Sequence, residues 1–183
     1  MKKDLSTKLE NSLIQLMNQK GDIQEITTQS ILEQAGVAKA TFYRHYKDKY
    51  ELLNSVVTKI YRQNFKQNHK GYQFALYQGL SYLKENQVLL ANGLKYQGQN
   101  SLSMSLQAYA EKYLYNLIAE HNPIIISEQN RFAIKFYCLG MVGIMEEWLI
   151  DGCEVDPLKL SHQIIDQMSP KLKQIIFEND TKA

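Results

Sequence analysis

The chain has 183 residues, of which 44% are hydrophobic and 22% are charged, and its formal net charge is +2. These values are typical of a globular protein with a substantial core, built as one domain or as a small domain beside a larger one. No apolar run approaches the roughly 20 residues that span a bilayer, and the start MKKDLSTKLE lacks the apolar segment of a signal peptide, so we expect a cytoplasmic protein with no membrane partner.

Two helices are predicted in the first part of the chain. Thr27 or Thr28 can cap the start of the second helix, which has about two turns, and Gly36 offers the left-handed conformation that ends it. The first helix precedes this one and is predicted to end near Gly21. It is supported by a set of apolar residues at three- and four-residue spacing: Leu5, Leu9, Leu13, Leu16 and Met17.

A third short helix is predicted from Ala38 to His45. In this helix Phe42 faces inward, while Lys39, Thr41 and Tyr43 remain available on the outside. The glycine turn between the second and third helices, with the first helix packed behind them, predicts a tri-helical helix-turn-helix unit. The second of the two short helices is then the candidate reader of a DNA major groove.

The remainder of the chain also predicts helices. Asp48 followed by Glu51 resembles a capping box at the start of a longer fourth helix. Asp156-Pro157 is a favourable start for a last helix, which Ser169-Pro170 kinks or restarts. Further helices are predicted around Phe74–Leu83, at 88–96, at 102–119 and along a segment that ends near Gly152.

Positive charge is concentrated around the predicted reading helix. Residues 39–49 contain four basic side chains and one acidic side chain, whereas residues 50–183 contain 13 of each. This distribution favours a phosphate-bearing partner at the front of the chain.

Other chemistry has little support in the sequence. Cys138 and Cys153 form no CxxC pair, and no histidine spacing places two imidazoles on one helical face. No motif combines a nucleophile with a base or forms a phosphate loop. We therefore predict no disulfide, no metal, no cofactor and no enzymatic activity.

The segment ITTQSILEQAGVAKATFYRHYKDKYELL, residues 26–53, resembles the DNA-binding signature of the TetR/AcrR family of transcriptional regulators. The AGV turn, the TFY-R-HY block and the K-D-K-x-E-L-L helix opening occur together at the family's spacing. The resemblance implies an all-α protein. Residues 1–48 would form the helix-turn-helix DNA-binding domain, and residues 49–183 a helical domain for effector binding and dimerisation.

The resemblance also implies roles for individual side chains. Thr27 or Thr28 would touch phosphate, the start of the third helix would face the groove, and Lys49 would pin the far strand. Ala38 departs from many family members, which have serine there, so one hydroxyl that could cap the helix or meet phosphate is missing. The full set of implied DNA contacts is Thr27, Thr28, Lys39, Ala40, Thr41, Tyr43, His45 and Lys49.

The segment FYCLGMVGIMEEWLIDG, residues 136–152, is the candidate dimer interface. A glycine inside a helix costs roughly 1 kcal/mol relative to alanine, so two glycines here indicate close approach of another backbone, from a partner subunit or from the same chain. We predict a symmetric four-helix interface made by this helix and the last helix of each subunit. The predicted interface residues are Phe136, Gly140, Gly143, Ile144 and Trp148.

The chain contains twelve tyrosines, several of them in the middle helices. They could line an effector pocket with apolar walls and hydroxyl tips, or be ordinary core and surface residues. The pattern GxxGxxxxWLxxG also resembles a subgroup of these regulators that is associated with dihydroxyacetone kinase genes, in which a partner protein delivers the signal. The candidate pocket residues are Tyr77, Tyr96, Tyr109 and Tyr113.

The leading hypothesis is a sequence-specific transcriptional regulator, in this family most often a repressor. Its partners would be a double-stranded DNA operator, a second copy of the chain, and a small-molecule or protein effector that changes operator affinity. The alternative is a helical protein-interaction module or co-regulator, such as an activator of a dihydroxyacetone kinase operon that works through a partner protein.

Overall fold

The computed structural model describes residues 2–65, 71–121 and 127–177, and describes side chains over residues 5–59, 71–119 and 127–177. All regular structure in these ranges is helical. None of the helices there is both long enough and apolar enough to cross a membrane.

The first three helices form a compact unit at the front of the chain. They are α1 (Lys2–Lys20), α2 (Thr28–Ala35) and α3 (Lys39–Tyr43), and a 3₁₀ turn at Ile23–Glu25 precedes α2. The sequence predicted the three helices, although α3 is shorter than predicted, and it did not predict the 3₁₀ turn. Gly36 has φ 62° and ψ 38°, the left-handed conformation expected at the end of α2.

A polar network ties α1 to the helices around it. The Ser6 hydroxyl shares a 2.6 Å hydrogen bond with the Tyr46 hydroxyl and donates to Glu10 at 3.2 Å. Glu10 is buried and forms an ion pair with Lys59 of the fourth helix. Because a buried carboxylate is costly unless it is paired, this network fixes α1 against both α4 and the turn after α3.

Seven more helices complete the described part of the chain. Asp48 caps α4 through the Glu51 N–H, and the Glu51 carboxylate accepts from the Lys47 N–H, which confirms the predicted capping arrangement. These helices are α4 (Lys49–Phe65), α5 (Gly71–Glu85), α6 (Gln87–Leu94), α7 (Leu102–His121), α8 (Glu128–Ile150), α9 (Pro157–Asp166) and α10 (Pro170–Phe177).

The packing of these helices places α8 beside α6 and α7 and places α9 against α5, while α1 packs on α4 and α6. Asp156 caps α9 by accepting from the Leu158 and Lys159 N–H groups, with Pro157 in the first turn, as predicted. The break between α9 and α10 at Ser169-Pro170 confirms the predicted restart.

Candidate nucleic-acid interface

Helix α3 exposes one face and buries the other. Phe42 is fully buried, and Tyr46, one turn later, is also buried. Lys39 and Ala40 are exposed, Thr41 is half-exposed, and Tyr43 has 51% of its surface exposed. The anchored aromatic residues therefore hold the helix while the predicted reading residues remain free to enter a groove.

The start of α2 is a second element of the same surface. Thr27 is the cap residue: its hydroxyl oxygen accepts from the Ser30 N–H at 3.0 Å, and Ser30 donates its hydroxyl to the Thr27 carbonyl at 2.8 Å. Thr27 is exposed and Thr28 is half-exposed. A capped helix start offers N–H groups and a partial positive charge to an anion, so this position suits a phosphate oxygen.

Lys49, for which the resemblance implied a phosphate contact, binds main-chain atoms in the structure. Its Nζ donates to the carbonyls of Ile23 at 2.8 Å, Gln24 at 3.2 Å and Ile26 at 2.6 Å. An ammonium has three N–H donors, and all three are used. Partial burial lowers the Lys49 pKa, and the charges of Asp22 and Asp48 oppose that effect.

His45 is also less available than the resemblance implied. The ring is half-buried, and within the described residues its Nε2 atom is shielded from solvent and has no hydrogen-bond partner. This nitrogen therefore cannot reach a phosphate in the observed conformation.

The predicted interface residues of α8 divide into two groups. Phe136 has 72% of its surface exposed and Ile144 is exposed. Beyond the chain neighbours and the α8 backbone, no described atom lies within 4 Å of where a Cβ would lie on Gly140 or Gly143. Trp148, by contrast, is only 6% exposed, and its indole N–H donates to the Val155 carbonyl at 2.9 Å. It is a core residue of the protomer, with little surface left for a partner.

A small cavity of about 40 Å³ lies between α5, α7 and α8. Of the four candidate pocket residues, Tyr109 and Tyr113 line this cavity, and Tyr77 and Tyr96 do not. Tyr96 instead stacks on Tyr50, with ring centroids 3.5 Å apart. The lining consists of Tyr72, Leu76, Leu106, Tyr109, Ala110, Tyr113, Leu114, Met141, Val142 and Met145.

Sequence reasoning missed the α8 side of this cavity. Met141 and Met145 lie one turn apart on the face of α8 opposite the exposed glycines, and this i, i+4 spacing was the available signal. The Tyr72 hydroxyl shares a 3.0 Å hydrogen bond with the Tyr137 hydroxyl, and burial raises the pKa of both phenols. Both hydroxyls therefore stay protonated at neutral pH and act as neutral donors or acceptors.

Known proteins match both parts of the chain. A family model described as bacterial regulatory proteins, tetR family, matches residues 14–56, and one described as transcriptional regulator C-terminal region (TetR_C_8) matches residues 70–170. No curated protein sequence is significantly similar.

Two solved structures share the fold. One is named dihydroxyacetone kinase operon activator DhaS; it is 20% identical, with 92% of this chain and 96% of that chain covered and a TM-score of 0.66. The other is a TetR transcriptional regulator from Streptococcus agalactiae 2603V; it is 22% identical, with 92% and 95% covered and a TM-score of 0.66. Since the C-terminal family model alone spans more than half of the chain and the tetR model covers the helix-turn-helix unit, the protein belongs to the TetR family of DNA-binding transcriptional regulators.

Proposed function

We propose that the protein binds an operator as a homodimer and represses transcription until an effector changes the spacing of its two reading helices. The observation that carries this proposal is α3, where a buried Phe42 fixes a helix whose Lys39, Ala40 and Tyr43 side chains are exposed. Lys39 and Thr41 would read base edges, while Tyr43 and the capped start of α2 would bind phosphate. Such a regulator would act in the cytoplasm and would not be an enzyme.

The homodimer is supported by the outer face of α8. Phe132, Phe136, Leu139, Ile144 and Ile150 are all exposed in the protomer. Exposed apolar residues at helical spacing along one long helix are typical of a protein interface. Between them Gly140 and Gly143 leave the backbone open to close approach by the same helix of a second copy.

We propose the cavity beside α8 as the effector site. None of the residues that line it carries a formal charge at neutral pH, and tyrosine hydroxyls are its main polar groups. It would therefore take a small, uncharged and mostly apolar molecule. At about 40 Å³ it is much smaller than the roughly 300 Å³ or more of a typical ligand pocket, so binding would require α7 and α8 to separate.

The limited size of this cavity favours a second candidate function. A regulator can receive its signal from a partner protein instead of a small molecule, and a solved structure with the same fold is named an operon activator. In this alternative the chain activates a dihydroxyacetone kinase operon through such a partner.

We propose a domain boundary at residue 48, between the DNA-binding domain and the effector-binding and dimerisation domain.

Selection of binding sites from random DNA tests the main proposal. We expect a two-fold symmetric operator with half-sites about one helical turn apart, roughly 34 to 36 Å. Absence of any sequence preference at every salt concentration would favour the interaction module instead.

The selected operator then tests the reading residues. Lys39→Ala and Thr41→Ala should change the preference among bases at the contacted positions by roughly 1 to 3 kcal/mol, because they remove base-edge contacts. Tyr43→Phe should weaken binding equally across sequences. Lys84→Ala, which removes an exposed lysine on α5, is the matched control and should change neither quantity. If Lys39→Ala leaves all base preferences intact, Lys39 is not a reading residue.

A further inference from the structure

The first turn of α4 lies between the DNA-binding helices and the larger helical part. On one side Lys49 donates to the carbonyls of Ile23, Gln24 and Ile26, the last residues before Thr27, which caps α2. These contacts attach the connection between α1 and α2 directly to α4. They fix the position at which α2 begins.

On the other side the first two turns of α4 contact the connection between α6 and α7. The Tyr50 and Tyr96 rings stack at an interplanar angle of 7°, and Asn54 donates to the Asn100 carbonyl at 2.7 Å. Gly98 makes room for this arrangement, since a Cβ there would lie 2.3 Å from the Tyr96 hydroxyl oxygen. The turn that carries Lys49 is therefore held from both sides.

We infer that Lys49 is a positioning residue for DNA binding: it sets the start of α2 relative to α4 and does not bind phosphate. This inference rests on the proposed function only in that DNA is the ligand that the positioned helices would bind. A lysine whose three N–H groups all bind main-chain carbonyls can reach a phosphate only by giving up those bonds, two of which go to partly buried carbonyls.

A salt titration separates the two roles. Loss of a phosphate contact reduces the slope of log Kobs against log salt by about 0.9, whereas loss of positioning lowers affinity with much less change in slope. We expect Lys49→Met to weaken operator binding roughly tenfold, within the range of measured coupling between contacting residues, with a slope change well below 0.9. Lys47→Met is the matched control, because Lys47 is exposed and two residues away, and it should leave the start of α2 unaffected.

Amide hydrogen exchange gives a readout that does not depend on DNA. In the full-length protein without DNA, Lys49→Met should speed exchange of the α2 amides, and Lys47→Met should not. Tyr96→Leu should loosen the same turn from the other side and speed α2 exchange while Lys49 is still present, so the inference remains testable if Lys49→Met does not fold.

Two results would overturn the inference: a fall of about 0.9 in the salt slope of Lys49→Met, or α2 exchange at the wild-type rate in both Lys49→Met and Tyr96→Leu. If the wild-type protein binds no DNA sequence specifically, the proposed function fails, and the exchange measurement alone then decides the role of Lys49.

Discussion

Phe42 and Tyr43 are neighbours in the chain, yet one is fully buried and the other is 51% exposed. The helical rotation of about 100° per residue turns one ring into the core and the next toward solvent, and the two rings still contact edge to face with centroids 5.3 Å apart. Lys39 and Lys49 show a similar contrast: Lys39 is exposed, whereas Lys49 lies within hydrogen-bond distance of three main-chain carbonyls. At the scale of the residue, the role of a side chain depends on the atoms that it can contact in the folded protein.

Cys138 provides a prediction about pH. It is fully buried, and burial raises the pKa of its thiol from 9.0 to about 12. The folded state therefore resists ionisation of the thiol. The contribution of the protonated thiol to the free energy of unfolding is fully present below pH 9, and it is lost as the pH rises from 9 toward 12. Between pH 8 and pH 10.5 we expect Cys138 to account for a loss of about 2 kcal/mol in the free energy of unfolding.

Urea unfolding of the wild-type protein and Cys138→Ala at these two pH values measures this contribution. The alanine variant should be less stable at pH 8 and should lose less stability at the higher pH. Equal losses in the two proteins would show that the thiol does not resist ionisation in the folded state.

At the scale of the element, helix ends are determined by local chemistry. Gly36 ends α2, Asp156 and Pro157 begin α9, and Thr27 caps α2. Helix α3 differs: its cap residue is Ala38, whose φ of −68° and ψ of 144° suit a cap but whose side chain can accept no hydrogen bond.

Ala38→Ser should therefore stabilise the protein. A serine hydroxyl at this exposed position can accept from the N–H groups of the first turn of α3, which is worth about 1 kcal/mol. Thermal or urea unfolding measures the gain. Ala40→Ser is the matched control, because the same change inside the helix should give no stabilisation. An equal effect of the two substitutions would exclude capping as the cause.

At the scale of the whole molecule, α8 has one buried side and one exposed side. Its inner side carries Met141, Met145 and Trp148 into the protomer's core, and its outer side leaves Phe136 and the two glycines uncovered. One helix would thus contact both the proposed effector cavity and the second subunit of the proposed dimer. A change in the cavity could then alter the angle between subunits and the spacing of the two reading helices.

Phe136→Glu should disrupt the proposed dimer. Each interface would acquire buried charges, and we expect the dimer dissociation constant to rise roughly 100-fold, with weaker binding to a two-fold symmetric operator. Light scattering at micromolar concentration measures the change in mass. Val88→Glu is the matched control, because Val88 is 62% exposed and lies on a different helix, α6. A wild-type protein that is monomeric with and without DNA would contradict the homodimer.

The sequence by itself determined the helices, the caps of α2, α4 and α9 and the helix-turn-helix unit, because the apolar spacing and the residues at helix ends act within a few positions along the chain. It also distinguished the buried Phe42 from the exposed side chains of α3. Tertiary structure decided what depends on residues far apart in sequence. The carbonyls that bind Lys49 come from residues 23–26, the ring that stacks on Tyr96 belongs to α4, and the wall of the cavity opposite Tyr109 comes from α8. Trp148 belongs to the core for the same reason: the loop after α8 folds back and supplies the carbonyl that its indole N–H requires.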